Sequence, residues 1–264
     1  MPNSELPIEI RECTAPNEFD ACISLQKEVF ALPDLEISPR RHLIVTKHAG
    51  GWTLGAFVKE KLEERLIGFV LSLPAFRGEE RILYSHMTAV KKEFQSHGIG
   101  AKLKWAQRER ALSENIRFIK WTFEPVQPRN AYFNLMRLGA VVKTYMPNFY
   151  GTDYGTTPNV NTTGFDSDRL FAEWQLDSEK VINAVKGNST QLGTPVRKIT
   201  VPPDWRALVI NEPEKAKKEQ LRIREEFIEA FTAGLICEAF ERDVNRPAYL
   251  FFKQKNGNLP TASP

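Results

Sequence analysis

Cysteine is scarce in this 264-residue chain: Cys13, Cys22 and Cys237 are an odd number, with no C-x-x-C pair. That count argues against a disulfide framework and suits a reducing compartment, so the cytoplasm is the expected location. Met1 to Arg11 carries acidic residues and lacks the basic-then-apolar layout of a secretion signal. Without such a signal, the sequons at Asn161 and Asn188 are expected to be chance. No apolar run approaches the roughly 18 residues of a membrane span, so no membrane partner is expected. An excess of one charge is missing too. A net charge of +3 is too small to argue for nucleic acid without a clustered patch. His42, His48 and His97 show no ligand spacing with one another or with a cysteine, so no metal is expected. What remains is ordinary for a globular protein: 42% apolar and 26% charged residues, enough for one large domain or two modest ones.

The most informative stretch is Tyr84 to Gly100, Y-S-H-M-T-A-V-K-K-E-F-Q-S-H-G-I-G. An apolar, β-prone run (Ile82–Val90) leads through a charged connector into Gln95-Ser96-His97-Gly98-Ile99-Gly100, and a helix-forming segment follows from Ala101 to about Ser113. Strand, glycine turn and helix N-terminus in that order make an anion site. The first amides of a helix have no internal acceptor, and the helix dipole adds about half a positive charge at that end. Glycine lets the backbone approach a phosphate closely. A dinucleotide fingerprint would need a glycine where Leu103 stands, and a phosphate-binding Gly-Lys-Ser/Thr triplet is absent.

Taken in order, residues 6–11 alternate as a first strand, and Asn17 to Phe30 has helical spacing. Ser38-Pro39 reads as the cap and first residue of a short helix to about Lys47. Trp52–Lys59 and Leu66–Leu73 form a hairpin around Lys59–Arg65, with 74–81 as a loop. Arg117–Phe123 is a strand, Pro128–Leu138 a helix stopped by Gly139, and Ala140–Tyr145 a strand. Gly151–Gly164 is a long polar loop, with Tyr145, Phe149, Tyr150 and Tyr154 as either a substrate wall or an anchor. Leu170–Leu176 is expected to close the first sheet. Beyond it come a short helix (177–186), a polar linker (187–195) and β-type runs at Val196–Val201 and Arg206–Ile210. Glu212–Ala233 reads as an amphipathic helix with Leu221, Phe227, Ile228 and Phe231 inside, followed by a hairpin of Leu235–Phe240 and Ala248–Phe252.

Gln95-x-x-Gly98-x-Gly100, preceded by Phe94 and a strand ending at Val90, resembles the pyrophosphate loop of the GNAT acyltransferase family. The element order before it is similar as well. After it, Ala131 and Leu138-Gly139-Ala140 fall on the family's next helix pattern. The chain departs from that pattern at Lys92, usually near a Pro, at Pro128, usually Asn, and at Leu135, usually the tyrosine that protonates the departing thiolate. With W-T-F-E-P, N-A-Y-F-N-L and P-N-F-Y-G, the layout resembles a group of uncharacterised GNAT proteins with a C-terminal extension.

The resemblance implies an α+β fold, with a mixed, mostly antiparallel central sheet between layers of helices and a C-terminal helix-plus-hairpin extension. It divides the chain into an acyl-CoA-binding domain over 1–177 and an extension over 178–264 packed on the core. The implied activity is N-acyl transfer from acetyl-CoA to an amine, small molecule or protein, with a non-catalytic acyl-CoA-binding module as the alternative. Neither nucleic acid nor membrane is an expected partner, and a homodimer is left open. The acyl-pantetheine arm would pair with Thr88, Ala89 and Val90, and the pyrophosphate would sit on Gln95, Ser96, His97, Gly98, Ile99, Gly100 and Ala101. Lys102, Lys104, Arg108 and Arg110 read as a solvated helix face, or as neighbours of the cofactor's 3′-phosphate.

Acyl transfer to an amine with a pKa near 10 needs a base, donors for the oxyanion and an acid for the thiolate. His86 and Glu124 are the candidate bases. Strand alternation puts His86 on one face with Tyr84 and Thr88, where a helix could equally cover it. Glu124 could equally be a loop carboxylate. Tyr132, three residues before Leu135 and on nearly the same helix face, could serve as the acid or simply pack.

Overall fold

A computed structural model describes residues 7–60, 63–152 and 164–254. The alternating Ile8 and Ile10 give strand β1 (Ile8–Glu12). Helix α1 (Pro16–Phe30) opens on proline, and Glu18 accepts the amides of Thr14 and Ala15 at 2.7 and 2.9 Å. Helix α2 (Arg40–His48) starts after Pro39 without a side-chain cap, so Ser38 is not the cap that its sequence suggested. The buried Gln26 amide instead binds both backbone groups of Ser38, at 2.9 and 3.2 Å. Strands β2 (Trp52–Glu60), β3 (Glu63–Arg77) and β4 (Glu80–Val90) form a meander. The expected loop at 74–81 is mostly strand: Pro74 pairs with Leu83, and Gly78 at φ +60° reverses the chain. Proline usually ends a strand, which hid the continuation.

Then follow α3 (Ile99–Ser113), β5 (Phe118–Phe123), α4 (Pro128–Tyr132), β6 (Val141–Met146) and β7 (Arg169–Gln175). The chain continues with α5 (Glu179–Val185), β8 (Arg197–Thr200), α6 (Trp205–Asn211), α7 (Pro213–Thr232), β9 (Leu235–Glu241) and β10 (Ala248–Lys253). The expected strand at Arg206–Ile210 is therefore a helix. Asp204 caps it, accepting the Ala207 amide at 2.9 Å, and Trp205 and Val209, one turn apart, are both buried. In the long polar loop, residues 153–163, with Tyr154 and the Asn161 sequon, lie outside the described residues.

The described strands make one sheet in the order β1-β2-β3-β4-β5-β7-β6-β9-β10-β8. Every pair in it is antiparallel except β4–β5. Phe19, Cys22 and Leu25 of α1 and Leu43 of α2 pack with Phe57, Phe69 and Leu71 in one core cluster. Leu103 and Ala111 of α3 join Ile67, Val70, Leu83 and Ile119 in the larger one. Fully burying such a side chain stabilises the fold by about 1.5–3 kcal/mol. The sheet runs on past β7 without a break, because β9 joins β6 at Val142–Cys237. Helix α7 covers this end, with Phe227 lying 5.5, 5.0 and 5.4 Å from the rings of Tyr145, Tyr249 and Phe251. Its buried stripe is Ala216, Gln220, Ile223, Phe227 and Ala230; Leu221 and Ile228, expected inside, are exposed.

Candidate functional site

The parallel pair β4–β5 is short. Only Leu83–Ile119 and Tyr84–Lys120 are in register, and beyond them the strands part. Residues 85–90 of β4 consequently keep one edge without a strand partner. On its other edge, β4 pairs Ser85 with Ser72 but Met87 with Leu71, which leaves His86 bulged out. A bulge of this kind breaks the alternation. Ser85 is buried against Lys104 of α3, while His86 meets the ring of His42 on α2 edge-on at 6.1 Å. The expectation that Tyr84, His86 and Thr88 share one face therefore fails at the bulge.

Past Val90 the chain makes a 3₁₀ turn at Lys92–Phe94 and passes through Ser96 at φ +68° and Gly98 at φ +77° before entering α3. Among the described residues, none of the backbone N–H groups from Ser96 to Ala101 finds an internal acceptor. Six free amides at a helix start are an anion cradle. A Cβ at Gly98 would meet nothing within 4 Å, and one at Gly100 only the Val90 side chain at 3.9 Å, so the glycines leave the cradle open. The side chain of Gln95 braces the turn by donating to the Val90 carbonyl at 3.0 Å, and the His97 ring lies 2.9 Å from the Gln95 carbonyl.

This cradle forms one wall of a groove of about 1060 Å³. Thr88, Val90, Gln95, Ser96, Gly98, Ile99, Gly100 and Ala101 line it; Ala89 and His97 do not. Ala89 is instead buried in the cluster under α1. The opposite wall is α4 and its continuation, Gln127 to Arg137, and two segments from beyond residue 200 complete it: 203–206, and the β9–β10 turn at 242–247. Sequence reasoning did not assign Arg129, Arg137, Arg206 or Arg242 to a site. Arginines scattered over 114 positions carry no local motif.

Of the candidate catalytic residues, only Tyr132 lines the groove. The guanidinium of Arg242 lies 4.9 Å from its ring centre. After Tyr132 the helix widens into a π turn over Phe133–Arg137, with Leu138 donating to Phe133 at 3.0 Å. Such turns cluster at functional sites. Leu135, at the position where the resemblance implies a tyrosine, is fully buried. Glu124 ends β5 beside a separate small cavity. It pairs with Arg169 at 3.2 Å and accepts from Gln127 at 3.2 Å. Burial raises its pKa, and Arg169 and Gln127 oppose the rise. His86 stands outside the groove lining, exposed at the bulge. Crowding by the protein, and then the neighbouring His42, lower its pKa.

The supposed solvated face of α3 is divided in fact. Arg110 pairs with Glu114 and Glu12, Arg108 donates to the Leu176 carbonyl at 2.8 Å, and Lys104 is buried. Neither Lys102 nor any of these three lines the groove. Around the parting of the strands, Tyr84 donates to Thr122 at 3.4 Å, and the Thr122 and Tyr150 hydroxyls lie 3.4 Å apart. Burial first, with Tyr150 adding to it, pushes the Tyr84 phenol up to about 12.

The model of the acetyltransferase (GNAT) family matches residues 20–139. No curated protein matches the chain. Among solved structures it is similar to a protein assigned to the GNAT acetyltransferases from Desulfovibrio desulfuricans, at 13% identity and a TM-score of 0.51. That match covers 64% of this chain and 99% of the other. A protein described as an acetyltransferase from Acinetobacter baylyi is similar at 14% identity and a TM-score of 0.51, over 67% of this chain and 96% of its own. A third, from Elizabethkingia anophelis with acetyl-CoA bound, is 17% identical at a TM-score of 0.46, over 64% of this chain and 97% of its own. At these identities the likeness to the first two is one of fold.

Proposed function

With residues 20–139 forming a domain of the acetyltransferase (GNAT) family, we propose that the protein is an N-acyltransferase that moves an acetyl group from acetyl-CoA to an amine. One observation carries the reading: the run of unpartnered amides from Ser96 to Ala101, all but His97 in the lining, opens onto a groove that leads to the free edge of β4. The cofactor fits what is there. The open cradle at Gly98 and Gly100 suits a pyrophosphate, and Thr88–Val90 offer the unpaired strand edge that an amide-bearing arm can join. When bound, acetyl-CoA would supply the thioester that is attacked.

The chain must then hold the amine neutral, donate to the oxyanion and return a proton to the leaving thiolate. Tyr132, in the groove wall, is the hydroxyl available as acid. His86 is one candidate base: crowding by the protein and His42 keep it less basic than a free imidazole, but it stands outside the groove lining. Glu124 is the second candidate base, less available because Arg169 and Gln127 already hold it. The acceptor is a small-molecule or protein amine.

A second reading, a non-catalytic acyl-CoA-binding module, draws support from the burial of Leu135 at the acid position and from the ion pair on Glu124. Incubating the protein with acetyl-CoA and a library of amines, while following free coenzyme thiol, separates the two. Thiol release that depends on amine supports transfer, and binding without release above background supports the module. Absence of any binding refutes both.

A further inference from the structure

The groove carries more cationic fork than a pyrophosphate on backbone amides requires. Four arginines line it: Arg129 and Arg137 from the α4 segment, Arg206 from the first turn of α6, and Arg242 from the end of β9. All four are exposed, and among the described residues none pairs with a carboxylate. Arg129 donates only to the Ser96 hydroxyl at 3.3 Å, beside the amide cradle. Two acids share the groove, Asp204 and Asp243, and both are engaged. Asp204 accepts the Ala207 amide at 2.9 Å, and Asp243 accepts those of Asn245 and Arg246 at 2.8 and 2.7 Å. Four guanidinium groups thus line the groove, none in an ion pair among the described residues and two of them from beyond residue 200, against two carboxylates held by backbone amides, a positive excess. Planar forks of this kind bind phosphomonoesters bidentately.

Resting on the acetyl-CoA reading above, we propose that Arg206 and Arg242 bind the 3′-phosphate at the nucleotide end of the coenzyme. That phosphomonoester carries about −1.5 to −2 charges at neutral pH and accepts through three oxygens. The turn at 95–101 contributes no Arg or Lys side chain of its own, and Arg129 on the Ser96 hydroxyl is the cation beside the pyrophosphate cradle, which leaves Arg206 and Arg242 for the 3′-phosphate. The segment after residue 200 thereby becomes part of the coenzyme site, and the α3 face formed by Lys102, Arg108 and Arg110 does not.

The test compares coenzyme A with 3′-dephospho-coenzyme A by calorimetry, in the wild type and in an Arg206→Ala/Arg242→Ala variant. The wild type should prefer coenzyme A by about 10- to 100-fold, the value of one charge-assisted phosphate contact. The variant should lose most of that preference while holding 3′-dephospho-coenzyme A as before. Adenosine 3′,5′-bisphosphate should compete in the wild type and far less in the variant. Both side chains are exposed, so the variant should unfold at the wild-type temperature. A preference retained in the variant overturns the assignment, as does equal binding of the two coenzymes by the wild type; the acetyl-CoA reading survives either result. Competition by O-phosphoethanolamine at saturating coenzyme would assign the arginines to a phosphate-bearing acceptor and overturn the assignment as well. If the wild type binds neither coenzyme, the acetyl-CoA reading falls first and this one with it.

Discussion

Lys104 gives the sharpest test of the fold's energetics. Only 3% of it is exposed. Its amine donates to Gln107 at 2.5 Å and Ser85 at 3.0 Å, and lies 3.9 Å from the Trp121 ring centre and 5.2 Å from that of Trp174. Among the described residues no carboxylate pairs with it, and burial pushes its pKa well below the ordinary lysine value. The unfolded chain therefore binds a proton that the folded chain gives up. Between the lowered folded value and the ordinary one near 10.4, stability rises with pH at up to about 1.4 kcal/mol per unit. From pH 7 to 9 that amounts to at most about 2.7 kcal/mol. Lys104→Met keeps the length and removes the titration. It also strips Gln107 and Ser85 of a donor, worth about 1 kcal/mol each, whatever the pH. Urea unfolding of both proteins at pH 7 and pH 9 isolates the effect, because other groups titrate in both and cancel. Lys180, buried and lowered to about 8, is one of those shared groups. With m near 2–3 kcal/mol/M, the wild-type midpoint should gain on the variant across this range, by at most about 1 M. A midpoint difference that stays constant, or shrinks for the wild type as pH rises, would refute the reading of Lys104 as a folded-in neutral amine.

Gly139 closes the π turn at φ +75°, and a Cβ there would lie 3.1–3.2 Å from the backbone of Lys180 and Val181. Gly139→Ala should cost at least about 2 kcal/mol in chemical denaturation. Gly100→Trp should leave the melting temperature nearly unchanged, because its Cβ meets only Val90 at 3.9 Å, yet abolish coenzyme binding in calorimetry. Arg224 holds Asp166 at 2.5 Å and the buried Asp168 at 2.8 and 3.1 Å. Arg224→Ala leaves that carboxylate without its cation, held only by the Tyr145 hydroxyl and the Asn148 amide, and should lower stability by about 3 kcal/mol in urea titration.

The features legible in the sequence were those fixed by neighbours in the chain. Q-S-H-G-I-G between a strand and a helix announced the cradle because glycine, free amides and helix start are all local. The start of α1, the hairpin β9–β10 and the Gly139 stop were equally local. What stayed hidden depended on partners far along the chain. The bulge at His86 exists only relative to Ser72 and Leu71 on β3, so strand alternation misassigned the face of Thr88. Lys104 looked solvated among Lys102, Arg108 and Arg110 because nothing local shows that Trp121 and Trp174 will close over it. In α7, counting large apolar residues gave the wrong stripe. The covered face uses Ala216, Gln220 and Ala230, small or polar residues that close packing against β6, β8 and β9 favours.

The groove arginines were hidden for the same reason, and the way the C-terminal segment attaches explains why they reach the site. It does not lean on the sheet's surface but continues the sheet. β9 covers the outer edge of β6, which would otherwise expose unpaired amides and carbonyls. Tyr249 of β10 donates to the carbonyl of Pro125 at 2.8 Å, pinning the residue that follows Glu124. Gln220 of α7 donates to the Asp166 carbonyl at 2.6 Å, and Arg224 ties down Asp168, which in turn accepts from Tyr145 at 2.6 Å. These contacts bracket the chain from Glu124 into α4, which forms the far wall of the groove, and the strand start at Arg169, which lines the separate small cavity. Here the packing that buries Phe227 and Tyr249 also fixes where Trp205, Arg206 and Arg242 stand. The core of the C-terminal segment and the charge of the groove are thus set by the same contacts.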